Sequence, residues 1–146
     1  MRERFTIEQD DREPDLQMEA DIDHLSLKFK RSRLKVGDYI YKDIIVERKT
    51  IDDFCASILD KRIETQVENM KQSGKQCFII IVGNLKDRTT EIHENCVIGK
   101  VVSLVVKHNM KVLWCEDDIQ FVWLLRNLIE KIGDKSGEIK KIRTGD

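Results

Sequence analysis

The sequence predicts an α/β fold with a mixed central β-sheet flanked by helices, on three observations. The run Cys77–Val82 is continuously apolar and rich in β-branched residues, as in a strand covered on both faces. Before it, short runs alternate apolar and polar residues at the two-residue period of a half-buried strand. After it, a strand-like run is set between segments whose apolar residues recur at helical spacing, and such crossovers place helices on the sheet faces.

Taken in order, Leu25, Leu27 and Phe29 alternate with polar residues and predict a strand over Leu25–Arg31. Ile40-Tyr41 and Ile44-Ile45-Val46, separated by Lys42-Asp43, predict a hairpin. Ile51, Phe54, Ile58, Val67 and Met70 predict one helix, with Thr50 as N-cap, Asp52 and Asp53 in its first turn, and Ser73-Gly74 as its stop. Cys77–Val82 follows as an interior strand. Val97, Ile98, Val101, Val102 and Val105 predict a buried helix, Lys111–Cys115 a strand, and Asp117 to Ile132 a final amphipathic helix.

At 146 residues the chain fits one domain, taken as residues 1–132, with 133–146 as a polar C-terminal tail or linker stub. Hydrophobic residues make up 40% and charged residues 36%, the balance of a well-solvated globular protein. Formal net charge is -1, so any grip on a polyanion must come from local patches. Charge is in fact partitioned: Glu8–Asp23 is strongly acidic, whereas Lys28–Lys35 holds five basic residues and no acid. There is no signal-peptide core, and the six apolar residues Cys77–Val82 are too few to span a bilayer, so a soluble intracellular protein with no membrane partner is expected. Cys55, Cys77, Cys96 and Cys115 form no C-x-x-C pair and read as reduced, packed thiols. His24, His93 and His108 have no companions at ligand spacing.

The chemistry concentrates on the hairpin. Asp38 precedes the turn and Glu47 follows it, while Glu47 and Lys49, two residues apart on one strand, project from one sheet face. Two carboxylates and an ammonium then converge. Hard oxygen donors of this kind suit Mg²⁺ or Mn²⁺ with coordination positions left for water and a phosphate oxygen. Arg48 points to the opposite face, toward a structural ion pair or a phosphate reached around the sheet edge.

The spacing D-x(8)-E-x-K is short and common on charged hairpins. A longer string surrounds it here: Val36-Gly37-Asp38-Tyr39, Val46-Glu47-Arg48-Lys49-Thr50-Ile51-Asp52-Asp53-Phe54, Ser57-Ile58-Leu59-Asp60-Lys61-Arg62, and Gln66. This string resembles the XPF/Hef family of structure-specific nucleases, with G-D, E-R-K-x-x-x-D and S-I-x-D-G-R-x-x-x-Q. Lys61 stands where the family pattern has glycine. Asp10-Asp11-Arg12-Glu13 looks like the family's D-x-R-E at the end of the first strand, and Pro14 with the acidic segment after it makes the following helix short or irregular.

The resemblance implies a restriction-endonuclease-like core and Mg²⁺- or Mn²⁺-dependent cleavage of branched DNA such as forks, flaps and junctions, in repair or recombination. On this resemblance Asp38, Glu47, Arg48, Lys49 and Asp53 are the catalytic candidates, Asp10, Asp38 and Glu47 the metal candidates, and Arg12, Lys35, Arg62 and Gln66 the DNA-binding candidates. Asp10 could also cap or terminate a strand, and Asp53 could favour the helix N-terminus through the macrodipole. Arg62, Gln66 and the basic run Lys28–Lys35 fit substrate contact or plain solvation, the latter also guarding an edge strand. Trp114, Trp123 and Phe121 fit core or dimer packing.

The resemblance also implies a homodimer or heterodimer through the nuclease domain, here expected on the C-terminal helix through Ile119, Val122, Trp123, Leu125, Leu128 and Ile129. It implies a separate helix-hairpin-helix or helicase module, so the chain reads as a nuclease-domain fragment or a compact stand-alone member. The alternative is a non-catalytic XPF-like DNA-binding or partner subunit; such members have lost the E-R-K residues, which this chain keeps.

Overall fold

The computed structural model describes the backbone of residues 4–145 and the side chains of residues 4–132. The elements run β1 (Phe5–Asp10), α1 (Gln17–Ile22), β2 (Leu27–Ser32), β3 (Tyr39–Tyr41), β4 (Ile44–Thr50), α2 (Ile51–Leu59), α3 (Ile63–Lys71), β5 (Gln76–Val82), α4 (Glu94–His108), β6 (Lys111–Cys115) and α5 (Asp118–Gly145). The sheet has the order β2-β1-β3-β4-β5-β6. The β3 strand is antiparallel to both neighbours, β1 and β4, while β2 with β1 and the β4-β5-β6 run are parallel. The sheet is mixed, as predicted.

Alternation along β5 divides the core. Phe78, Ile80 and Val82 pack with Ile44, Val46 and Tyr39 against Leu16 and Ala20 of the α1 region and Phe121, Val122, Leu125 and Ile129 of α5. Cys77, Ile79 and Ile81 pack with Ile45 against Phe54, Ile63, Val67, Val97 and Leu104 of α2, α3 and α4. Both faces of β5 are therefore covered, which explains its unbroken apolar run. The hairpin pairs Ile40 with Ile45 and Tyr41 with Ile44, as its sequence implied.

Four expectations need correction. The strand expected at Leu25 begins at Leu27, because His24 (φ 54°) and Ser26 (φ 59°) turn the chain after α1 in left-handed conformations. The helix expected to run unbroken to Ser73 is two helices. Lys61 adopts φ 59°, its N–H donates to Ile58 O and the Arg62 N–H donates to Ser57 O at 2.9 Å, which is a Schellman closure made without glycine. Among the cysteines, Cys96 is exposed, whereas Cys55, Cys77 and Cys115 are buried thiols. The helix expected to be buried, α4, buries Val97 and Leu104 but leaves Ile98, Val102 and Val105 exposed.

The expected tail or linker at 133–146 falls on residues whose side chains lie outside the described ones. Among the described residues no helix is long and apolar enough to cross a membrane.

Candidate active site

Asp38 lies between two strands and is fixed from both. Its N–H donates to Val46 O (2.9 Å), its carbonyl accepts from the Asp10 N–H (2.8 Å), and its Oδ2 accepts from the Arg48 N–H (2.8 Å). Gly37 makes the approach possible. Its φ is +74°, and a Cβ there would lie 2.5 Å from Ile45 Cγ1, so no side chain fits without displacing the core.

On β4, Glu47 and Lys49 share a face with buried Ile45, while Arg48 shares the other with Val46. Lys49 is only 7% exposed. The strand passes directly into α2: Thr50 ends β4 and caps the helix, its Oγ1 accepting from the Asp53 N–H at 3.2 Å.

Burial pushes the Glu47 carboxyl up to about 9, reinforced by the charge of Asp38 and by a hydrogen bond between the two side chains. Burial likewise raises Asp38, against the lowering effects of that shared bond, the Arg48 N–H and the charge of Lys49. Two half-buried carboxyls held this close keep a proton between them unless a cation neutralises both. The pair therefore fits a hard divalent ion.

Asp10 is nearby but engaged. Its carboxylate accepts from Arg12 Nε (2.8 Å) and Nη2 (3.2 Å) and from the Leu34 N–H (2.9 Å), and the Arg12 bond holds its pKa below the ordinary value. Among the described residues, no three His, Cys, Asp or Glu side chains are grouped around a common ion position. Asp38 and Glu47 thus stand as a pair, with Asp10 acting on Asp38 through its charge. Arg12, expected on DNA, has its guanidinium turned to Asp10 and to Leu34 O (3.1 Å).

The remaining candidates separate. Arg48 is a structural ion pair: Nε and Nη2 donate to Asp118 Oδ1 at 3.0 and 2.8 Å, and its guanidinium lies 5.9 Å from the Phe121 ring centroid. Asp53 is exposed at the first turn of α2, whereas its neighbour Asp52 accepts from the Thr89 and Thr90 N–H groups. Arg62 is exposed and pairs with Asp60 at 3.3 Å. Gln66 is partly buried, with Oε1 shielded from solvent and given no hydrogen-bond donor. Lys35 is exposed.

Sequence reasoning underrated Glu13 and missed Asp118. Glu13 is a third raised carboxyl, at about 7, pushed up by burial and by the charge of Asp38, and it lies 3.9 Å from Arg48 Nη1. Its spacing from Asp10 in D-x-R-E was the available signal. Asp118 sits seventy residues from Arg48, and nothing in the local sequence joins them.

The ERCC4 domain family model matches residues 9–128. A protein of Methanocaldococcus jannaschii named as an ATP-dependent RNA helicase is 30% identical over 127 residues, which are 86% of this chain and 16% of that protein. The 3'-flap repair endonuclease Xpf of Saccharolobus solfataricus is 26% identical over 136 residues, 92% of this chain and 58% of that one. The chain thus spans little more than half, or far less, of these curated relatives. Solved XPF from Aeropyrum pernix has the same fold, with TM-scores of 0.77 both in a complex with DNA (24% identity; 91% of this chain, 66% of that one) and alone (25%; 86% and 60%). These matches show that the chain belongs to the ERCC4 domain family as a nuclease domain of the XPF/Hef type.

Proposed function

We propose that this chain is a divalent-metal-dependent endonuclease that cuts DNA at branches such as flaps, forks or junctions. The observation that carries the reading is the Asp38–Glu47 pair, two half-buried carboxyls hydrogen-bonded to each other beside Lys49. A protein without use for a cation there gains nothing from the crowding, since like charges at such range oppose each other.

In this reading Asp38 and Glu47 hold Mg²⁺ or Mn²⁺, which when bound supplies positive charge at the phosphate and acidifies a water. The Arg48 N–H fixes one oxygen of Asp38, so the carboxylate presents the other. Lys49, its stem buried, holds an ammonium at the edge of the pair, where it orients the attacking water or stabilises charge on the phosphorane. Arg48 and Asp118 keep β4 docked on α5, and so hold Glu47 and Lys49 in register. The Saccharolobus relative is named a 3'-flap repair endonuclease, which supports flaps as the first substrate to test.

Labelled flap, fork, junction and linear duplex incubated with Mg²⁺ or Mn²⁺ test the proposal. Cutting by the wild type and its loss in Asp38→Asn and Lys49→Ala are expected. Cutting that survives both substitutions overturns the mechanism.

Self-association belongs to the same reading, on a surface different from the one the sequence suggested. Val122, Leu125 and Ile129 of α5 are consumed by the chain's own core, leaving Ile119 and Trp123 outside. The larger exposed apolar area lies on α4, at Ile98, Val102, Val105 and Val106, with Trp114 on edge strand β6. A patch of this kind marks an interface. Sedimentation is expected to give a dimer mass that reverts to monomer in Val102→Glu/Val106→Glu; a monomeric wild type at micromolar concentration overturns this part.

A further inference from the structure

The apolar layer under helices α2, α3 and α4, on the sheet face carrying Glu47 and Lys49, reaches from β6 to Ile40 of β3. Across β1 and β2 no described residue packs over that face. Its side chains there are Thr6 and Glu8 of β1 and Lys28, Lys30 and Ser32 of β2, all exposed, with Thr6 in register with Lys28, Glu8 with Lys30, and Asp10 with Ser32. The Asp38–Glu47 pair thus stands at a step, with a helix-covered wall on one side and an open two-stranded floor on the other.

The floor is charged in a selective way. Of the five cations in Lys28–Lys35, the two arginines are spent. Arg31 donates to Gln9 Oε1 (2.7 Å), Asp11 O (3.0 Å) and Glu13 O (2.8 Å), and Arg33 to Asp11 Oδ1 (2.7 Å). Lys28, Lys30 and Lys35 engage no partner among the described residues. Glu8 is the one carboxylate among them on the floor, and Asp10 is already neutralised by Arg12. Lys35 lies at the site end, next to Leu34, whose N–H donates to Asp10 Oδ1. Lys28 and Lys30 continue outward, roughly 6.6 Å apart along the strand, comparable to the through-space separation of neighbouring phosphates on one DNA strand, which exceeds the axial rise.

We propose that this strip carries the sugar–phosphate backbone of the DNA on one side of the scissile bond. Lys28, Lys30 and Lys35 contact successive phosphates, and the Thr6 and Ser32 hydroxyls are placed for hydrogen bonds to the same chain. The inference rests on the nuclease reading for the identity of the substrate. It adds the direction from which the strand enters and the residues that hold it. Contacts of this type position DNA without reading its sequence, as suits an enzyme selecting shape.

Anisotropy titrations of the full chain against labelled duplex and single strand, in Ca²⁺ and over a range of salt, test it. Lys28→Ala/Lys30→Ala is expected to weaken binding and to flatten the log–log salt slope by about 1.4 to 1.8, the value for two phosphate contacts on single strand and duplex respectively. The form of DNA that shows the loss is the one on the floor. In Mg²⁺ the same variant is expected to raise KM with kcat unchanged.

Lys71→Ala/Lys75→Ala removes equal charge from a cleft at the opposite end of the sheet, beside the start of β5, and is expected to change neither quantity. An equal loss in both variants, or none in either, overturns the proposal. Aggregation of the floor variant with unchanged DNA affinity also overturns it, by showing that the lysines only guard an edge. Wild-type cutting alongside an unaffected floor variant sinks the strip and leaves the nuclease; a wild type that neither binds nor cuts sinks both.

Discussion

The Arg48 N–H donates to Asp38 Oδ2 at 2.8 Å, so a backbone group of β4 holds the carboxylate that precedes β3. Asp38→Asn keeps an acceptor oxygen at that position but removes the charge. The fold is expected to survive, with cleavage down by at least about a hundredfold. Asp38→Ala orphans the partly buried N–H and is expected to cost an additional 1 to 3 kcal/mol or so, read as a shift in the urea midpoint that Asp38→Asn does not show.

The Asp38–Glu47 pair makes stability of the metal-free protein depend on pH in an unusual direction. Glu47 has an ordinary value of 4.5 and a folded value of about 9, so between these the folded state binds the extra proton. Unfolding free energy therefore falls as pH rises through that window. Thermal melts in EDTA are expected to show this fall, and Glu47→Gln is expected to flatten it. Added Mg²⁺ or Mn²⁺ is expected to stabilise more at pH 8 than at pH 6, because the ion displaces the shared proton. An EDTA melting temperature that rises steadily from pH 6 to pH 9 contradicts the account.

Gly37 combines φ +74° with a Cβ position 2.5 Å from Ile45 Cγ1. Gly37→Ala is expected to destabilise by roughly 1 to 3 kcal/mol from backbone strain and overpacking together. Since Asp38 follows directly, metal affinity is expected to drop with it, measurable by the loss of Mg²⁺-induced stabilisation.

Lys61 is the converse case, a lysine held at φ 59° where the motif resemblance has glycine. Lys61→Gly relieves a left-handed L-residue at the price of unfolded-chain entropy, for a net gain of about 0.5 to 1 kcal/mol. Cleavage is expected to be unchanged; a fall in stability means that the lysine side chain makes a contribution that outweighs the strain.

Where a pattern was local, the sequence sufficed to read it. The Ile40–Ile45 pairing, the two-sided burial of β5, the shared face of Glu47 and Lys49 and the Thr50 cap each follow from periods or spacings within a few residues. The break at Lys61 was hidden because its conformation is one that glycine normally advertises. The Arg48–Asp118 pair and the saturation of Asp10 by Arg12 and Leu34 depend on side-chain geometry assembled across the fold, which neither residue type nor the motif resemblance foretold.

Glu47-Arg48-Lys49 is three consecutive letters written for two readers. The outer two stand with Asp38 on one face of the sheet and the middle one addresses α5 on the other through Asp118. A slip of one residue in β4 would turn the ammonium and carboxylate into the α5 core and bring the guanidinium out among the acids. Misregistered β4 is thus rejected by charge as well as by its apolar neighbours. The triplet works as a proofreading mark for the strand that carries it, so insertions or deletions in β4 fail at folding before they fail at catalysis.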